Sequence, residues 1–191
     1  WKDLIVMKIN YVTGNKGKVK LAQMILANYP IEIIQRDIDI PEIQSLDCHE
    51  VAFHSAKEAA DRLGEPVLKN DSGLVIEALD GFPGALAKYV ENNLRAEGFL
   101  KLMKDVENRT CYWIEVLAYC KPGCDPVLFT SKTYGTISLD ARPLRGYPYD
   151  EFFIPKGDTR TFSEMTEEEQ LSCFDTKAYH ELAKYLEGLE E

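Results

Sequence analysis

The feature that most constrains this chain is a strand that runs directly into a glycine-bearing turn and then into a helix. Residues 7–12 alternate in polarity and predict a strand, and residues 19–28 have the apolar spacing of a helix. The turn between them reads Thr13-Gly14-Asn15-Lys16-Gly17-Lys18. This order of elements points backbone N–H groups and the positive end of a helix dipole at an anion. Lys18 and the turn amides are therefore candidates to hold phosphate, although the spacing of a Walker A loop is absent and a plain turn is the commoner explanation.

Strand and helix patterns alternate along the rest of the chain and predict a mixed α/β protein. The 191 residues are enough for one domain that buries roughly 70% of its unfolded surface. No repeat or linker divides the chain, so we expect a single domain over residues 1–191, built as two lobes. Met7 stands directly before the first strand, so residues 1–6 are interpreted as an upstream extension or a cloning remnant. Further strands are predicted at 31–36, 66–69, 74–78, 110–120, 126–139 and 152–154, and helices at 49–63, 84–93, 95–105, from 166, and at 176–188.

The charge balance is acidic, and this limits the classes of partner. There are 32 Asp and Glu residues against 22 Lys and Arg, which gives a formal net charge of −10. A groove that follows a nucleic-acid backbone needs a positive surface, so no nucleic-acid partner is expected. No membrane association is expected either, because the apolar run Leu4-Ile5-Val6-Met7 is too short to span a bilayer. Small phosphorylated ligands are compatible, since Mg²⁺ can sit between carboxylates and phosphate oxygens.

The cysteine pattern favours a reducing, cytoplasmic location. The five cysteines are odd in number and none forms a CxxC pair, so a zinc site is the weaker explanation. Buried free thiols are expected instead. The residues concerned are Cys48, Cys111, Cys120, Cys124 and Cys173.

Three further segments carry polar groups of the kind that hold nucleotides. In Asp39-Ile40-Pro41-Glu42, a carboxylate fixed after a proline suits a divalent metal, although a solvated turn is the simpler explanation. Asp71-Ser72-Gly73 follows a β-like run, where an Asp can ligate Mg²⁺ or orient a water molecule, and a type I turn explains it equally well. In Gly146-Tyr147-Pro148-Tyr149-Asp150, the tyrosines can stack on a base and the Asp can accept from its N–H groups; a tyrosine-rich surface loop is the alternative.

Together these segments resemble, in order and spacing, the inosine-triphosphate pyrophosphatase (Ham1-type) family over residues 8–178. Thr13-Gly14-Asn15 with Lys18 is similar to the family's T/S-G-N-x-x-K phosphate loop, and residues 39–44 are similar to L-P-E-[IL]-Q. The most specific match covers residues 71–84, which resemble D-S-G-L…AL-x-G-x-P-G. Residues 149–165 resemble G-[YW]-D-P-x-F-x-P…T-[FY]-A-E-M.

This resemblance implies an elongated, mixed-sheet α/β fold of two lobes with a central nucleotide cleft, assembled as a homodimer. It implies hydrolysis of a nucleoside triphosphate to the monophosphate and pyrophosphate, with preference for deaminated purines such as ITP, dITP and XTP. Lys18 and Asn15 would then hold phosphates, Glu42 and Asp71 would hold Mg²⁺, and Asp71 would also help to activate the attacking water. Lys18, Glu42 and Asp71 are thus the catalytic candidates. The remaining substrate-binding candidates are Thr13, Ser72, Gly73, Lys88, Tyr147, Tyr149 and Asp150.

The chain departs from the family pattern where the family carries basic residues that hold the base and phosphates. A Lys and then S-H-R follow T-[FY]-A-E-M in the family, whereas an ungapped alignment here gives Gln170 and Asp175-Thr176. An alignment shifted to match Ser172 gives Cys173-Phe174 in place of His-Arg, and neither alignment recovers the three basic groups. Asn70, Pro148 and Glu151 also replace the family's acid, Gly and Pro. Each lost charged hydrogen bond is worth about 1.5–3 kcal/mol, so we expect altered base selection. The alternative is a catalytically weak or inactive relative that binds a nucleotide or a partner protein.

Overall fold

Seven strands form one mixed sheet in the computed structural model, which describes residues 6–189. They are β1 (Met7–Val12), β2 (Ile31–Arg36), β3 (Val67–Ile76), β4 (Pro83–Gly84), β5 (Thr110–Cys120), β6 (Val127–Ile137) and β7 (Phe153–Pro155). The strand order is β2-β1-β3-β5-β6-β7, and β4 pairs with β3. β1 is parallel to β2 and β3, and the other pairs are antiparallel. Most of the predicted upstream extension, residues 1–5, lies outside the described residues.

Five α-helices pack on this sheet, and their ends follow local capping rules. They are α1 (Lys16–Leu26), α2 (Cys48–Leu63), α3 (Ala87–Leu102), α4 (Glu167–Cys173) and α5 (Lys177–Glu187). α2 ends at Gly64, whose φ of 69° is the left-handed conformation that glycine adopts without cost. α4 begins with a capping box between Thr166 and Glu169, as the sequence predicts. No helix within residues 6–189 combines the length and apolarity needed to cross a bilayer.

β3 differs from the sequence prediction of two short strands joined at Asp71-Ser72-Gly73. It is one continuous strand, and every residue from Val67 to Ile76 pairs with β5. A Cβ on Gly73 would lie 2.2 Å from the carbonyl oxygen of Gly84. This glycine therefore permits close packing of β4 on β3 and does not form a turn.

α3 agrees with the prediction of two helices at 84–93 and 95–105, because its backbone breaks between them. Arg95, within Ala87–Leu102, is non-helical, with φ 51° and ψ −177°. The break lies where the second helix was predicted to begin, so α3 consists of two helical segments joined by a kink.

Two hydrophobic cores lie on one face of the sheet, at opposite ends of the β5–β6 hairpin. The first core joins α1 and α5 to the hairpin end that carries Leu117 and Phe129. The second core joins α3 and residues 149–165 to the end that carries Cys111 and Ile137. The division of the domain into two lobes stays a prediction. A third core lies on the opposite face, between the sheet and α2.

Candidate active site

A band of polar side chains separates the first core from the second on their shared face. Side chains alternate along a strand, so Glu115 points to the same face as Trp113 of the second core and Leu117 of the first. The neighbouring strands add polar groups at the same level. The band consists of Asn70, Ser72, Glu115, Ser131 and Thr133, and a cleft of about 570 Å³ opens over it.

The glycine-bearing turn and Lys18 lie at the end of the cleft nearest the first core. β1 pairs with β3 only at Asn10 and Tyr11, so β3 continues past the end of β1 and leaves an open edge beside the turn. Asn15 Oδ1 accepts hydrogen bonds from the backbone nitrogens of Gly17 (2.9 Å) and Lys18 (3.2 Å). Those two amides are therefore engaged within the turn, and the side-chain nitrogens of Asn15 and Lys18 are among the donors left for a ligand.

Lys18 is the cation at this end of the cleft. Within residues 6–189 its amine forms no hydrogen bond or ion pair. Burial lowers its pKa, while the nearby carboxyls of Glu115 and Asp71 oppose that shift. A partly desolvated amine between carboxylates is suited to pair with phosphate oxygens. Thr13 lies outside the cleft lining and shapes the turn, since its hydroxyl accepts a hydrogen bond from the backbone nitrogen of Asn15 at 3.1 Å.

Glu42 and Asp71 lie together on the α2 side of β3. Burial raises the pKa of Asp71 to about 6, while the Cys48 thiol and Lys18 act to lower it and the Glu42 charge acts to raise it further. Asp71 Oδ2 is buried without a hydrogen-bond partner among the described residues. Glu42 is half-exposed and its Oε1 lies 3.4 Å from the amine of Lys69.

These two carboxyls fit a cation that takes part of its coordination from elsewhere. No group of three or more His, Cys, Asp or Glu side chains is arranged as a metal site within residues 6–189. Mg²⁺ in phosphate-binding sites keeps several waters and uses one or two carboxylates together with substrate phosphates. The unpartnered oxygen of Asp71 and the accessible carboxyl of Glu42 meet that requirement.

Glu115 forms the floor of the cleft, and sequence reasoning missed it. Its Oε1 accepts hydrogen bonds from Asn70 Nδ2 (3.0 Å) and from the hydroxyl of Tyr179 (2.9 Å). Burial raises the pKa of Glu115, and these two hydrogen bonds together with Lys18 oppose the shift. The available signal was a single acid within the apolar run 113–117, which is unusual for a buried strand.

The two tyrosines of the loop 146–150 have different roles. Tyr147 is 71% exposed and lines the cleft. Tyr149 is buried in the second core, where its hydroxyl donates to the backbone oxygen of Ala87 at 2.5 Å, so the structure does not support the prediction that it stacks on a base. Asp150 Oδ2 accepts from the backbone nitrogen of Tyr147 at 2.8 Å and holds the loop in shape. Burial raises the pKa of Asp150.

Of the remaining predicted site residues, Ser72, Gly73 and Lys88, only Ser72 lines the cleft. Ser72 lines the cleft, whereas Gly73 packs under β4. Lys88 is exposed on α3 and lies outside the cleft lining, so its position does not support the predicted contact with substrate.

The C-terminal wall of the cleft carries Gln170 and Asp175. Gln170 Nε2 donates to the backbone oxygen of Phe162 at 2.6 Å. Asp175 accepts from the backbone nitrogens of Lys177 (2.9 Å) and Lys132 (3.3 Å). Both side chains are therefore engaged in holding the wall together.

This chain is similar to known proteins over most of its length. A model of the Ham1 family matches residues 9–185. The dITP/XTP pyrophosphatase of Methanopyrus kandleri is 44% identical over 180 residues, which cover 94% of this chain and 96% of that protein. The dITP/XTP pyrophosphatase of Methanosarcina acetivorans is 39% identical over 163 residues, which cover 85% of this chain and 88% of that protein.

Solved structures show the same fold. A HAM1 protein from Coxiella burnetii has a TM-score of 0.82 at 25% identity, with 95% of this chain and 99% of that chain covered. The mixed α/β fold predicted from the resemblance is thus confirmed. Since the family match contains the phosphate loop, both carboxyls and the cleft loop, this chain belongs to the Ham1 family.

Proposed function

We propose that this chain is a Mg²⁺-dependent nucleoside-triphosphate pyrophosphatase that hydrolyses purine NTPs and dNTPs, non-standard ones included, to the monophosphate and pyrophosphate. The proposal rests on one observation: the amine of Lys18, which has no partner among the described residues, lies near the carboxyls of Asp71 and Glu42 at the open edge of β3. The dITP/XTP pyrophosphatase activity named for its relatives supports the same chemistry.

Phosphoryl transfer depends on neutralising charge on the phosphate oxygens and placing a nucleophile in line with the leaving group. We assign the phosphates to Lys18 and the Asn15 side chain. Glu42 and Asp71 would hold the cation, which would supply charge neutralisation on the same phosphates. We also assign to Asp71, whose Oδ2 is buried without a hydrogen-bond partner among the described residues, the orientation of the attacking water.

The base occupies the end of the cleft nearest the second core. Tyr147 offers an exposed aromatic face there, and aromatic faces stack on bases. The engaged side chains of Gln170 and Asp175 on the C-terminal wall support altered base selection. A homodimer and a cytoplasmic location, both expected from the sequence, stay predictions.

The test is Mg²⁺-dependent pyrophosphate release, screened across ITP, XTP, the ordinary NTPs and their deoxy forms. We expect Asp71→Asn, Glu42→Gln and Lys18→Gln each to lower kcat/KM by about a hundredfold or more, as removal of a charge-stabilising group does. Two exposed residues provide matched controls, Asp39→Asn on the Glu42 segment and Lys16→Gln on α1. These should leave kcat/KM unchanged.

The opposite result identifies a different function. If the folded protein hydrolyses none of these nucleotides and still binds one of them, the chain is a nucleotide-binding relative without pyrophosphatase activity.

A further inference from the structure

Arg145 is the second cation of the cleft, and no role has been assigned to it. Among the described residues that line the cleft, Lys18 and Arg145 are the two that carry positive charge. Lys18 lies on α1 beside the first core. Arg145 lies on the loop that also carries Tyr147 and Asp150, beside the second core.

The guanidinium of Arg145 is anchored at one edge only. Its Nε donates to the backbone oxygen of Ser163 at 3.2 Å, and its two terminal nitrogens have no hydrogen bond or ion pair within residues 6–189. The two nearby arginines are paired instead. Arg142 lies 3.1 Å from Glu164, and Arg160 lies 3.0 Å from both Asp158 and Glu169. A guanidinium left without an acid partner in a chain of net charge −10 has its donors available to a ligand.

The facing wall offers no competing donor of this strength. Gln170 and Asp175 are both engaged with the backbone, and Glu167 and Phe174, the other described residues of that wall, carry no positive charge. Selection of a base by a cation therefore has to come from the loop side of the cleft.

We propose that Arg145 reads the base, donating from its terminal nitrogens to the O6 and N7 acceptors of a 6-oxopurine that stacks on Tyr147. A guanidinium matches that acceptor pair bidentately, whereas adenine presents an amino donor in place of O6 and is disfavoured. This assignment rests on the proposed function, since it assumes that a nucleotide occupies the cleft. It places base selection on the wall of the cleft formed by the loop that carries Arg145 and Tyr147. That wall lies opposite the C-terminal wall, where the sequence departs from the family's S-H-R pattern.

Binding of nucleoside monophosphates tests the assignment without depending on catalysis. Affinities for IMP, AMP and ribose 5-phosphate are measured by NMR titration for the native protein, Arg145→Ala and Arg145→Lys. Arg62→Ala, which removes an exposed arginine on α2, is the control for the loss of one positive charge. We expect the native protein to prefer IMP over AMP, and Arg145→Ala to lose about tenfold to hundredfold in IMP affinity while its affinity for ribose 5-phosphate is unchanged. Arg145→Lys should keep little of the preference, because an ammonium cannot bond bidentately.

Three results would overturn the assignment. The first is an equal loss of affinity for IMP and for ribose 5-phosphate in Arg145→Ala, which would make Arg145 a phosphate ligand. The second is a preference for IMP over AMP that Arg145→Ala leaves unchanged. The third is a native protein that binds IMP and AMP equally well. Failure of the proposed function looks different. If the protein releases no pyrophosphate but still prefers IMP in a way that depends on Arg145, the proposed pyrophosphatase activity is rejected and the role of Arg145 in base recognition is retained.

Discussion

Glu115 carries a buried carboxyl whose ionisation opposes folding. Because burial raises its pKa in the folded state, its contribution to stability is complete below the ordinary carboxyl pKa and is lost as the pH rises through the raised value. Glu115→Gln keeps the oxygen that accepts from Asn70 and Tyr179 and removes the charge. We expect the variant to gain stability relative to the native protein as the pH rises above the ordinary carboxyl pKa of about 4, with the difference vanishing below it.

Denaturant unfolding across that pH range measures this difference directly. A difference in the free energy of unfolding that stayed constant with pH would show that the Glu115 carboxyl does not change its ionisation on folding.

Tyr147 contributes to binding and little to stability, because 71% of it is exposed. Tyr147→Ala should weaken nucleotide binding by about 1–3 kcal/mol, the usual contribution of base–aromatic stacking, and Tyr147→Phe should bind as the native protein does. Calorimetric titration with a nucleoside monophosphate measures both. Tyr89→Ala is the matched control, since Tyr89 is 75% exposed and lies outside the cleft lining. Equal affinity of Tyr147→Ala and the native protein would exclude stacking on this ring.

At the residue scale the sequence singled out those candidate residues that belong to short local patterns. Lys18, Glu42 and Asp71 each lie in a motif of a few residues. Glu115 and Arg145 were missed because their environments depend on long-range contacts. Asn70 and Tyr179 contact Glu115 from distant parts of the chain. The terminal nitrogens of Arg145 have no acidic partner among the described residues, and the sequence does not reveal this. Tyr149 was assigned to the wrong environment, since a two-tyrosine loop does not reveal which ring enters the core.

Gly73 is the residue on which the packing of β4 against β3 depends. An added Cβ would lie 2.2 Å from the backbone oxygen of Gly84, which belongs to a paired strand and cannot move aside cheaply. Gly73→Ala should lower the free energy of unfolding by about 3 kcal/mol. In Gly188→Ala the nearest atom to the added Cβ is at 3.6 Å and the backbone is helical, so we expect a change within about 0.5 kcal/mol.

Chemical denaturation of the two variants makes the comparison. If Gly73→Ala were as stable as Gly188→Ala, β4 would not pack against β3 at the distance described.

At the element scale the sequence predicted which elements exist more reliably than where two of them join. β2 agrees with its predicted residues 31–36, and α2 ends at Gly64 as the capping pattern indicates. β3 was divided at Asp71-Ser72-Gly73 because that tripeptide is typical of a turn. The continuous pairing with β5 overrides this local preference, and such pairing depends on residues about 40 positions away.

The β5–β6 hairpin joins the first core to the second, since one hydrogen-bonded ladder passes through both. We therefore expect a single cooperative unfolding transition. Leu182→Ala in the first core and Phe99→Ala in the second should each destabilise the protein by about 2–5 kcal/mol, because both side chains are fully buried. Both should shift that same transition in scanning calorimetry. Two separate transitions, with each substitution lowering the midpoint temperature of only one, would mean that the first and second cores unfold independently.

At the scale of the whole molecule, the proposed function puts the phosphates at the Lys18 end of the cleft and the base at the Tyr147 end, and it requires cleavage between the α- and β-phosphates. The direct test is the identity of the products when ITP is incubated with the protein and Mg²⁺ and followed by phosphorus NMR. We predict inosine monophosphate and pyrophosphate in equal amounts, with Asp71→Asn inactive. Inosine diphosphate and orthophosphate as products would contradict the account.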